Sequence, residues 1–162
     1  LSASVYYDAV YKNSLRVSRD QFVPKDMAQF SVAETDAVLD RICTGMYMPI
    51  CEVIDFSSFP YAGFAWNRYL LQQYVAFYSQ RFKLIHIGFS SECSGAIVRR
   101  SSSIDNIDDL IVDVMANAPI ELTKESALQF LYDKGYLTQR RYSNIELLIL
   151  KAKAKRNRKD RN

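Results

Sequence analysis

The stretch KLIHIGFSSECSGAIVRR, residues 83–100, decides the fold class. Ile85, Ile87 and Phe89 alternate with Leu84, His86 and Gly88, the period of two by which a strand shows one face to a core. Ser90 to Gly95 is a cluster of turn formers, and Ala96 to Arg100 returns as a second apolar run. The spacing predicts a small antiparallel β-hairpin over about 83–100. Most of the remaining chain has helical period, so the expected class is α+β, predominantly helical, with five or six helices around that hairpin.

Upstream, Ser31 and Glu34 form a capping-box pattern before an apolar face of Val38, Leu39, Ile42 and Cys43, with Gly45 as the stop. A second helix is expected over 65–81, with Leu70, Tyr74, Phe77 and Tyr78 on one side. Between them, Met46 to Gly63 is apolar but irregular, broken by Pro49 and Pro60. The rings of Phe56, Phe59, Tyr61, Phe64 and Trp66 in and after this loop read first as a satellite core and second as an anchor for another protein. At the start, Val5, Tyr6, Ala9 and Val10 have helical spacing, whereas Val17, Phe22 and Val23 ahead of Pro24 look extended or irregular.

Downstream, Ile107, Leu110, Ile111, Val114, Met115 and Ala118 mark an amphipathic helix ended by Pro119. Thr123 caps the next helix, with Leu122 placed to staple onto Ala127 and Gly135 as its stop. Tyr136 to Arg141 should then be extended. Ser143 and Glu146 form a capping-box pattern, flanked by Tyr142 and Leu147 as a staple, and begin a final helix with Ile145, Leu148, Ile149 and Ala152 on its apolar side.

A chain of 162 residues with 49% hydrophobic and 24% charged residues fits one globular domain, residues 1–162. At that size about 70% of the unfolded surface is buried without cross-links. Three cysteines with no CxxC pair argue against a disulfide framework and for free thiols in a reducing, cytoplasmic setting. No apolar run approaches the ~20 residues that span a bilayer, so no membrane partner is expected. Leu1 in place of Met, with no basic stretch before an apolar one, fits a piece of a larger protein lacking a signal peptide.

Charge is the strongest functional signal. Thr138 to Asn162 carries nine basic residues against two acids, a net +7, although the whole chain is +3. The other 137 residues therefore carry −4. Arg140 and Arg141, with Lys151, Lys153, Lys155, Arg156, Arg158 and Lys159 on the basic helix end of 151–162, form a set that matches a phosphate backbone. The simpler reading is a solvated tail or a subunit contact. Because no helix-periodic apolar residue follows Ala152, deletion from Lys153 onward should leave the fold intact.

The run from Ser126 to Arg141 resembles the recognition helix and first wing strand of winged-helix proteins, where a helix ends at Lys-Gly (here Lys134-Gly135) and a short apolar-then-basic strand follows. The helix over 104–118 would stand for the first helix of that family. That resemblance implies DNA binding. It covers about a quarter of the chain, and only Pro119 to Leu122 stand where the family has an intervening helix.

Other chemistry is sparse. His86, the one histidine, and Cys93 sit across the expected turn and could pair as thiol and imidazole. Cys43, Cys51, Cys93 and His86 lack the spacing of a zinc knuckle. Asp105, Asp108, Asp109 and Asp113 complement a helix N-terminus without metal, although Asp109 and Asp113 could share a divalent ion. No phosphate-binding glycine loop or G-x-S-x-G elbow occurs. The expectation is a non-enzymatic module without cofactor or metal, binding nucleic acid through the basic set above. The alternative is a protein-interaction or assembly domain.

Overall fold

A computed structural model describes residues 13–160. The helical spacing of Val5 to Val10 lies outside them. Within them the chain runs as β1 (Ser14–Ser18), β2 (Gln21–Pro24), α1 (Val32–Ile42), β3 (Tyr47–Pro49), α2 (Arg68–Phe77), β4 (Phe82–Ile85), β5 (Ala96–Arg99), α3 (Ile107–Asn117), α4 (Lys124–Asp133) and α5 (Ile145–Asp160). Short 3₁₀ turns occupy Lys25–Met27 and Ile50–Glu52. Five α-helices and two small antiparallel sheets make this an α+β fold, and β4 and β5 are the expected hairpin.

The hairpin is part of a larger sheet. β3 pairs with the other edge of β5, giving the order β3-β5-β4. β5 is consequently central and buried on both faces. Ala96 and Val98 enter a core built with α3, α4 and α5, while Ile97 enters a second core with Leu39, Leu71, Tyr74 and Phe82. Alternation along a strand divides its side chains between the two. The partners keep this register: Ile85 lies opposite Ala96, and Leu84 and Met48 lie opposite Ile97. A third cluster of Leu15, Val17 and Leu70 seats the β1–β2 hairpin on α2. That hairpin was legible only as extended residues.

β4 stops at Ile85, short of the expected Phe89, and Ile87 is 41% exposed. The segment after it is held by other means. Arg16, fully buried, donates to the carbonyls of Ser90 and Ser91 and stacks over the Tyr69 ring at 4.4 Å. Gly95 (φ +108) donates to the Gly135 carbonyl at 3.0 Å and accepts from Ile50 N at 3.1 Å. A Cβ at Gly95 would meet His86 Cβ at 2.6 Å, and one at Gly135 (φ +84) would meet Cys51 Sγ at 2.7 Å. Glycine at both positions lets the end of α4 close onto the sheet.

Thr123 caps α4 and Pro119 ends α3 as expected. Three local patterns fold differently. Ser31 makes no side-chain cap; its carbonyl instead accepts from Thr35 N and Oγ1. The second helix starts at Arg68 because the Asn67 side chain accepts from Tyr69 N and Leu70 N. α5 starts after Asn144, which has φ 60, so Glu146 lies one place early for a capping box and instead approaches Lys124 at 3.5 Å.

Candidate functional site

α5 buries Ile145, Leu148, Ile149 and Ala152. At 3.6 residues per turn, Lys155, Arg156 and Lys159 continue the same stripe. The stripe therefore does not end at Ala152; it changes chemistry. Pro119 has no amide hydrogen, so the carbonyls at the end of α3 have lost a donor. Arg156 supplies one. Its guanidinium donates to the carbonyls of Met115 and Ala118 (both 2.8 Å), Ala116 (3.3 Å) and Ile120 (3.0 Å). Lys159 Nζ donates to Asn117.

Lys155 Nζ lies 2.6 Å from Asp113 Oδ1, and the Tyr47 hydroxyl donates to Asp113 Oδ2 at 2.7 Å. Burial pushes the Asp113 carboxyl up, but these two donors outweigh it and hold the pKa below the ordinary carboxylate value. Burial, reinforced by Asp113, pushes the Tyr47 phenol well up. Asp108 meets Tyr142, Asp113 meets Lys155 and Asn117 meets Lys159, so α3 and α5 run in the same direction. Their negative dipole ends lie together, where the cations of α5 offset them.

Three of the eight basic residues expected on the nucleic-acid surface, Lys155, Arg156 and Lys159, are thus engaged within the fold. Lys151, Lys153 and Arg158 are exposed and have no ion-pair partner among the described residues. Arg140 donates to Gln129 Oε1 and lies over the Tyr132 ring. Exposed Arg141 lines a groove of about 570 Å³ with Ile87, Gln139, Tyr142 and Ser143. Tyr136 to Arg141 forms bends rather than the extended segment expected of a wing strand, because Tyr136 and Leu137 turn inward to the core. Arg140 and Arg141 precede α5, whereas Lys151, Lys153 and Arg158 lie along it.

The outer side of α5 is the feature that the sequence reading missed. Leu147 is 52% exposed and Leu150 63%, with exposed Ala154 one turn beyond. Their spacing of i, i+3, i+7 makes a second apolar stripe, opposite the first. Leu147 was expected to staple onto Tyr142, yet the Tyr142 hydroxyl is turned to Asp108. A wheel drawn through 147, 150 and 154 carries the signal.

The remaining candidates resolve as structure. The Cys93 thiol donates to the Arg68 carbonyl at 3.5 Å, and burial pushes its pKa up to about 12. The thiol is thereby held in its protonated form at neutral pH. All three cysteines are free. Asp109 accepts from Asn106, and Asp113 is engaged as above. Among the described residues no group of three or more His, Cys, Asp and Glu could hold a metal ion. None of their helices is long and apolar enough to cross a membrane. In the aromatic loop, Phe59 and Trp66 pack with Phe30 and Tyr74, whereas Ile54 and Tyr61 are exposed. Comparison with family models, with curated proteins and with solved structures returned no match.

Proposed function

We propose that this chain is a non-enzymatic protein-interaction module whose docking element is the outer face of α5. One observation carries the reading: Leu147, Leu150 and Ala154 form an apolar stripe directed to solvent on a helix already anchored by its opposite face. Apolar residues at helical spacing on a rigid support are the usual material of helix-in-groove and helix-on-helix recognition. The test is an NMR titration with a synthetic amphipathic peptide bearing Leu at its seam and Gln on both flanks. Shifts centred on Leu147, Leu150 and Ala154 support the reading, and an unperturbed α5 removes it.

Nucleic-acid binding is the second reading, favoured by the exposed cations Arg140, Arg141, Lys151, Lys153 and Arg158. With about 0.9 in log–log salt slope per phosphate contact, the eight residues first expected would give a slope near 7, and these five give about 4–5. Binding of a duplex oligonucleotide with that slope would favour it. Under this reading, Arg140→Ala with Arg141→Ala lowers the slope by about 2.

A further inference from the structure

From the charges framing the outer stripe of α5, we infer that its occupant is an acidic amphipathic helix of a different chain. The inference rests on the docking role proposed above and names the partner. Written as a heptad seam, Leu147 and Ala154 take one core position, and Leu150 and Asn157 the other. Lys151 and Arg158 then stand on one flank, Glu146, Lys153 and Asp160 on the other. Glu146 already faces Lys124 of its own fold. The flank charge available to a partner, Lys151, Lys153 and Arg158 against Asp160, is therefore net positive.

A second copy of the chain fits this pattern poorly. In an antiparallel pair like flanks meet, setting Lys151 and Arg158 against the same residues of the other copy. In a parallel pair opposite flanks meet, setting Lys153 against Arg158, and the attractive pairing of Glu146 with Lys151 would have to displace Lys124 from Glu146. A helix with Glu or Asp on its flanks meets a cation in either direction. The seam has only two leucines, and Ala154 beside them leaves room for a bulky apolar side chain. Binding is accordingly modest in strength and sensitive to salt.

The probe is a 21-residue helical peptide with Leu at the seam and Glu on both flanks, compared with its Gln and Lys analogues by fluorescence anisotropy at low salt. The Glu peptide should bind about tenfold more tightly than the Gln peptide, and the Lys peptide should not bind. Lys151→Glu with Arg158→Glu should reverse the order, and Leu150→Glu should abolish binding of the Glu peptide. Equal binding of all three peptides would overturn the partner assignment and leave the docking role standing. Failure of all three would overturn the docking role itself. Binding of the Glu peptide that survives Leu150→Glu would show attraction by charge alone and overturn the inference. So would a dimer in sedimentation that dissociates on Leu150→Glu, since it would make the occupant a second copy.

Discussion

Asp36 and Arg156 each tie a helix to a neighbouring segment through backbone hydrogen bonds, with opposite charge and at different depth. Asp36, on α1 and only 2% exposed, accepts from the Tyr74 and Ser79 hydroxyls and from the amides of Gln80 and Arg81, where the chain leaves α2 for β4. Arg156 donates to four carbonyls where the chain leaves α3. Arg156 compensates for carbonyls that a helix end leaves over, and Asp36 for the amides of the linker that follows one. They differ in what replaces them on removal. Water reaches the half-buried site of Arg156, but around Asp36 the released hydroxyls face a closed apolar cluster. Burial more than charge should set the energetic ranking.

Asp36→Ala is therefore expected to give the largest loss, about 3–5 kcal/mol in urea denaturation, because the Ser79 hydroxyl and the Gln80 and Arg81 amides lose their acceptor together, while the Tyr74 hydroxyl keeps the Val32 carbonyl at 3.0 Å. A loss smaller than that of Arg156→Ala would break the comparison. Arg156→Ala should cost about 1–2 kcal/mol, the value of charged hydrogen bonds reduced by partial solvation. Arg156→Lys should recover little, since an ammonium cannot span four carbonyls. Deletion from Lys153 onward should cost about 2–3 kcal/mol, the Arg156→Ala loss plus the smaller losses of the Lys155 and Lys159 contacts, so the fold persists but at lower stability. The expectation that the segment after Ala152 acts only as an electrostatic element is corrected to that extent, since Arg156 is hydrogen-bonded within the fold.

A smaller effect lies in pH. The folded Asp113 carboxyl sits below its ordinary value of 3.8, so its contribution is complete above that value and is lost as pH falls through the folded one. Lys155→Ala should flatten the stability–pH curve on the acid side, at a cost of at most about 1 kcal/mol at pH 7. An unchanged acid limb would show that Asp113 does not depend on Lys155. The smallest effect is expected on the outer face of α5. Leu150→Glu should change stability by no more than about 0.5 kcal/mol, whereas Leu148→Ala on the inner face should cost about 2–5 kcal/mol. Similar losses at the two positions would mean that the outer stripe belongs to the core.

Periodicity and stop signals made α3, α4, the hairpin and the inner stripe of α5 legible, because Pro119, Gly135 and a run of helix-spaced apolar residues act locally. What escaped was non-local. β3 is three residues long and finds its place only by pairing with β5, so Tyr47 and Met48 carry no signal of their own. Asp36 reads as one more polar residue of an amphipathic helix until Ser79 and Gln80 are brought to it. The charge of Lys155, Arg156 and Lys159 was visible, but its use was not, since carbonyls opened by a proline 37 residues upstream of Arg156 leave no mark beside it. The outer stripe was legible in principle and was hidden by attention to the stronger inner one.

The double burial of β5 has a consequence for biosynthesis. Synthesis through Arg99 completes the three-stranded sheet and the core around Ile97, but leaves the Ala96 and Val98 face bare. Its cover ends at Ala152, 53 residues later. At about 5–20 residues per second, a ribosome needs about 3–10 s to supply it. During that interval the nascent chain displays a formed sheet with one uncovered apolar face, a surface suited to chaperone capture. Covering of that face therefore waits on α5.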